Sequence, residues 1–168
     1  MKEKLSFIEI QRIFQIMISD FKFFHGVALL ELSRNSIKPL KVESLKDLYE
    51  NSAYSINGIG VYIKHSEKRL TPWRFSFLKK HQDTIFELKS IFEEVVVLLV
   101  CGKDGIAGIN FSELKLILDD NHEEVEWIKV HRTKNSLYGI SGSNGKLDFK
   151  VSKDDFLKKI LKEDFMNS

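Results

Sequence analysis

Seven consecutive apolar residues, Val95-Val-Val-Leu-Leu-Val-Cys101, constrain this chain more than any other feature. The run is far shorter than the ~20 residues a bilayer-spanning helix needs. It carries neither the 3.6-residue period of a surface helix nor the alternation of a half-exposed strand. What remains is a central β-strand covered on both faces, so the fold needs packed layers on each side of a sheet. The flanks agree. Leu78, Ile85, Leu88 and Phe92 form one helical stripe before the run, with Lys79, Lys80, Asp83, Glu87 and Lys89 off it. Gly102-Lys-Asp-Gly105 then reads as a turn into a returning strand, Ile106 to Asn110.

The remaining elements follow from caps and periods. Ser6 with Glu9 makes a capping box for a first helix whose stripe is Ile10, Ile13, Phe14, Met17, Ile18 and Phe21. Phe23 to Ser33 encloses Gly26-Val-Ala-Leu-Leu, which reads as a short buried strand. Ser44 with Asp47 predicts a short helix ending near Asn51. Ile59, Val61 and Ile63 alternate with Tyr62 and Lys64, and Trp73 to Phe77 alternates again after a charged connection. These two segments read as a hairpin with one apolar face. Asn110 and Glu113 cap a helix over 111–118. Strands are expected at 127–130 and 137–140, and Asn144-Gly145 turns into another over 146–151. Ser152 with Asp155 caps a last helix carrying Phe156, Leu157, Ile160 and Leu161. The expectation is one α/β (α+β) domain over residues 1–168, a mixed sheet flanked by helices in the order αβαββαββαβββα.

The early part of that order resembles the αβββαβ core of restriction-endonuclease-like (PD-(D/E)XK) domains, over residues 6–101. The resemblance implies nucleic acid as substrate, and an Asp or Glu on one strand with (D/E)xK on the next, converging on a divalent metal. The signature itself is not found. Trp73 to Phe77 holds no carboxylate, Glu87-Leu-Lys89 falls on a helix, and Asp148-Phe-Lys150 sits on the wet side of an expected strand.

Other catalytic patterns fail on spacing. Ser141-Gly-Ser-Asn-Gly-Lys146 has Ile140 and Leu147 where a phosphate loop needs Gly and Ser or Thr. Gly58-Ile-Gly60 is a fragment of a dinucleotide fingerprint that precedes a strand. The single Cys101 reads as a buried strand end, and the five histidines include no i, i+4 pair, so neither a cofactor nor a metal is expected. One cysteine and no signal peptide point to a cytoplasmic location.

Charge placement is the informative remainder, because the net charge is only +2. From Lys64 to His81 six cations face one acid, a local charge of +5; from Glu113 to Glu126 six acids face one lysine, a local −5. Cations with interspersed hydroxyls and aromatics suit a phosphate backbone and its unstacked bases. Lys64, Lys68, Arg69, Arg74, Lys79, Lys80 and His81 are therefore the candidate nucleic-acid contacts, and Trp73, alternating with Phe75 and Phe77, is assigned to the core. The alternative is a protein-interaction module without catalytic activity, using the acidic 113–126 face or sheet edges.

Overall fold

The computed structural model describes residues 6–9, 18–47 and 51–166. The helices are α1 (Asp20–Arg34), α2 (Lys79–Ile91), α3 (Phe111–Lys115) and α4 (Asp155–Leu161). Five strands, β1 (Val42–Ser44), β2 (Ala53–Ile56), β3 (Ile59–Ser66), β5 (Val95–Cys101) and β6 (Gly105–Asn110), form sheet I in the order β1-β2-β3-β5-β6. Four more, β4 (Trp73–Leu78), β7 (Val125–His131), β8 (Gly139–Gly142) and β9 (Gly145–Lys146), form sheet II in the order β4-β7-β8-β9. The class is mixed α+β, with sheets flanked by helices, as the sequence predicts.

The apolar run behaves as its composition requires. All seven residues of β5 are buried, and β5 lies between β3, to which it runs parallel, and β6, to which it is antiparallel. Its two faces serve two cores. Val96, Leu98 and Val100 join Val61 and Ile63 against Ala28 and Leu32 of α1 and Phe156, Leu157 and Ile160 of α4. Val95, Val97, Leu99 and Cys101 face the other way, toward Trp73, Phe75 and Phe77 of β4, Ile128 and Val130 of β7, and Ile85 and Leu88 of α2. Three layers result: α1 with α4, then sheet I, then sheet II with α2. At about 25 cal/mol per Å² of apolar area, side chains of this size each contribute roughly 1.5–3 kcal/mol when buried.

Several local expectations change. Residues 23–33 belong to helix α1, not to a strand. The run there is apolar on two sides: His25, Ala28 and Leu32 face the core while Phe23, Val27 and Leu30 stay exposed, which erases the helical period. Ser44 ends a strand instead of capping a helix, and 46–47 form a turn. The segments at 59–66 and 73–78 do not form a hairpin: β3 pairs with β2 and β5, whereas β4 crosses to the facing sheet and pairs with β7. The helix expected over 111–118 ends at Lys115, and the strand expected over 146–151 shortens to β9 plus a single bridge from Val151 to Tyr138. The observed order is αββββαββαβββα.

Caps were more legible. Ser6 and Glu9 exchange their predicted hydrogen bonds, although the stripe positions 10–17 lie outside the described residues. Asn110 and Glu113 do the same (2.9 and 2.8 Å), and the Ser152 N–H and hydroxyl both reach the Asp155 carboxylate.

Candidate nucleic-acid interface

Strands with one buried face place alternate residues on the other. In β4, Trp73, Phe75 and Phe77 point inward while Arg74 and Ser76 are exposed. In β7, Glu126, Ile128 and Val130 point inward, which turns Trp127 and Lys129 out, both half-buried. The register sets Arg74 opposite Lys129, Ser76 opposite Trp127, Lys129 opposite Ser141, and Ser141 opposite Lys146. Directly opposed residues of antiparallel strands share a face. The outer face of sheet II therefore carries an indole, three cations and two hydroxyls from four strands.

The indole is the centre of that face. The Arg74 guanidinium lies 4.6 Å from its centroid and the Lys129 ammonium 5.9 Å away, both within cation–π range. The Trp127 backbone N–H donates to Ser143 Oγ at 2.9 Å, which ties the strand to the β8–β9 turn.

Beyond the Arg74–Lys129 pair, where β4 begins and β7 ends, the loop 67–72 and the segment after β7 enclose a cavity of about 300 Å³. Leu70 and Trp73 supply apolar wall, and Arg69, Arg132 and Lys134 supply positive charge beside one lining carboxylate, Asp104. The loop is fastened at several points. The Trp73 indole N–H donates to the Lys68 carbonyl (2.9 Å), Lys68 Nζ to the Pro72 carbonyl (3.0 Å), and the Arg132 backbone N–H to Thr71 Oγ1 (3.1 Å). Gly102 sits beneath it with φ +54°, and a Cβ there would come within 2.3 Å of the Lys68 carbonyl oxygen. Only glycine meets both demands.

Arg132 is held by Asp104, which lines the cavity with it. Its Nε donates to Asp104 Oδ2 (2.7 Å) and a second guanidinium nitrogen donates to Oδ1, while the Tyr138 hydroxyl donates to Oδ2 (2.7 Å). Burial alone would raise the Asp104 carboxyl, but the hydrogen bonds from Arg132 and Tyr138 hold it below the ordinary aspartate value. Burial and the bond to Asp104 push the Tyr138 phenol upward, so it stays a donor.

Seven residues are expected contacts on sequence grounds, and the fold divides them. Arg69 lines the cavity at the start of β4, with Lys68 in the same loop, while Arg74 stands on the outer face of sheet II. Lys64, Lys79, Lys80 and His81 lie beyond the opposite end of β4. Lys64 is half-buried, its Nζ 3.2 Å from His81 Nδ1 and 5.4 Å from the Phe77 centroid, so it faces the space between the sheets. His81 Nδ1 accepts the Leu78 N–H (3.1 Å), Lys79 pairs with Asp83 (2.9 Å), and Lys80 is exposed on α2. On the outer face Arg74 is joined by Trp127 and Lys129, and in the cavity Arg69 is joined by Arg132 and Lys134. The signal in the sequence is the alternation of 125–131, which puts Trp127 and Lys129 on one side. Nothing local reveals that Lys129 stands across from Arg74.

The acidic window is not one face. Glu126 is buried, accepts from Gln82 and leaves its Oε1 without a hydrogen-bond partner among the described residues. Glu113 pairs with Lys159 at 2.6 Å, Asp120 with Lys115 at 2.8 Å, and Asp119 accepts from Asn144 and Asn121.

Cys101 is fully buried, its thiol 3.5 Å from the Leu99 carbonyl and pushed well upward in pKa by burial and then by Asp104, which suits a packing role. Among the described residues no three His, Cys, Asp or Glu side chains gather in a way that could hold a metal ion. Glu87 and Lys89 lie on α2, and Asp148 and Lys150 are exposed outside any strand. No described helix is long and apolar enough to cross a membrane. No family model, curated protein or solved structure matches the chain.

Proposed function

We propose that this protein binds single-stranded nucleic acid on the outer face of sheet II, with Trp127 as the stacking platform and Arg74, Lys129 and Lys146 as phosphate contacts. The observation that carries the reading is the Trp127 indole flanked by two cations on an exposed sheet face. A single strand offers unstacked bases to an indole and phosphates to the neighbouring cations. A duplex hides the first and presents a groove that a sheet face of this width does not enter. Ser76 and Ser141 add hydroxyl donors between the cations. The endonuclease-like resemblance supports the same class of partner by analogy alone. A cytoplasmic setting, where single strands occur and a lone thiol stays reduced, accords with it.

The test is fluorescence anisotropy with labelled single- and double-stranded oligonucleotides across a salt series. Loss of one stacked base is worth roughly 1–3 kcal/mol, so Trp127→Ala should weaken single-strand binding about fivefold or more. Three phosphate contacts predict a log–log salt slope of about −2, and Arg74→Ala should flatten it by about 0.7. Lys79→Ala, on the far side of β4, serves as the control that changes neither. No binding at low salt, or equal affinity in Trp127→Ala and the parent, refutes the proposal. Shortening of the oligonucleotide on adding Mg²⁺ would replace it with cleavage.

A further inference from the structure

The cavity beside the platform has a chemistry of its own. Of its three cations, Arg132 is already balanced by Asp104, which it grips through two hydrogen bonds, and it also donates to the Ser136 carbonyl (3.4 Å). Lys153 supports the same aspartate, donating to its backbone carbonyl at 2.7 Å. Arg69 and Lys134 are both exposed at the cavity mouth, and neither is engaged by a carboxylate among the described residues. The mouth therefore holds two uncompensated positive charges. Thr71 Oγ1 accepts a backbone N–H and keeps its own proton to donate. Leu70, itself 62% exposed, and the edge of Trp73 make the rest of the wall apolar.

Two free cations and a hydroxyl donor match one dianion, and the apolar wall matches the sugar and base that carry it. A phosphodiester within a strand carries a single charge, whereas a terminal phosphomonoester carries close to two at neutral pH. We propose that this cavity captures the terminal phosphate-bearing nucleotide of a single strand, with Arg69 and Lys134 on the phosphate and Leu70 against the base. The next nucleotides of that strand then pass around the start of β4 to reach Arg74, Lys129 and Trp127 on the outer face. The proposal rests on the platform reading, and it sharpens that reading from single strands in general to phosphorylated strand ends.

The test compares three oligonucleotides of one sequence, each labelled internally: one with a 5′-phosphate, one with a 3′-phosphate and one with hydroxyls at both ends. The expected result is about tenfold tighter binding of one phosphorylated strand over the hydroxyl-ended one, the worth of one charge-assisted hydrogen bond. The two phosphorylated strands report which end is held. The double variant Arg69→Ala/Lys134→Ala should erase the preference while changing hydroxyl-strand affinity by less than about threefold. Trp127→Ala should weaken all three strands equally. Equal affinity for the three strands in the parent protein overturns the proposal, as does a double variant that weakens all three alike. Binding of a phosphorylated strand without any binding of the hydroxyl-ended one would uphold the cavity and sink the platform.

Discussion

His25 gives the sharpest energetic prediction. It is 3% exposed on the core side of α1, with Nδ1 2.8 Å from the Tyr54 hydroxyl and the His65 ring 6.1 Å away, centroid to centroid. Burial first, and then the neighbouring His65, bring its pKa from the ordinary 6.5 down to about 4. The folded protein thus holds this imidazole neutral at a pH where the unfolded chain has already protonated it. Stability from this site is complete above the unfolded value and is lost as pH falls from about 6.5 toward 4. Between pH 7 and pH 5 the loss amounts to roughly 2 kcal/mol. With a urea dependence of roughly 2–3 kcal/mol per M, the unfolding midpoint should fall by about 0.7–1 M over that interval. The comparison is His25→Gln, whose amide can still meet the Tyr54 hydroxyl and does not titrate. Carboxylates and His65 then cancel between the two proteins. Urea titrations followed by circular dichroism should show the parent losing about 2 kcal/mol more than the variant. Equal losses in the two proteins would mean that His25 is solvated or protonated in the fold, and the argument would be wrong.

Two further substitutions probe the supports of the 67–72 loop and of Asp104. Gly102→Ala should cost about 2 kcal/mol or more and lower the melting temperature, because the added methyl meets the Lys68 carbonyl at a positive φ. A melting temperature equal to the parent's would show that the 67–72 loop is not seated on this turn. Tyr138→Phe removes one donor from Asp104 but leaves the Arg132 pair, so it should cost about 1–2 kcal/mol in chemical denaturation. If the cost is nil, the phenol does not reach the carboxylate in solution.

How much of this was legible in sequence depends on the range over which each feature is determined. Caps are local: Ser6 with Glu9 and Asn110 with Glu113 act over three residues and exchange the expected bonds, whereas Ser152 bonds Asp155 but the helix is capped at Asp154. The seven-residue apolar strand was legible because burial on both faces leaves no periodicity to misread. Helix α1 was missed because Phe23, Val27 and Leu30 are apolar on the solvent side, which turned an amphipathic pattern into an apparent strand. The hairpin expected of β3 and β4 failed for a different reason. Both segments alternate, but Val61 and Ile63 of β3 face α1 and α4, while Trp73, Phe75 and Phe77 of β4 face Tyr62 from the opposite core. Adjacent pairing and face-to-face packing ask for the same alternation, so the sequence does not separate them. The site was half legible. A linear count of charges groups Arg69 and Arg74 with Lys79, Lys80 and His81, which the length of β4 sets apart. It overlooks Lys129, because a partner 55 positions on becomes a neighbour only through strand register.

The alternation in β4 and β7 has a consequence for how this face can change. Each outward side chain stands between two inward ones, and the inward set alone holds the register, since a slip by one residue would thrust Arg74 and Trp127 into the interior. The outward positions are thus free of the duty of folding the protein. A chain built this way can take new side chains at Arg74, Ser76, Trp127, Lys129 and Ser141 while keeping the register of its strands. An engineer could use the same five positions as a blank panel.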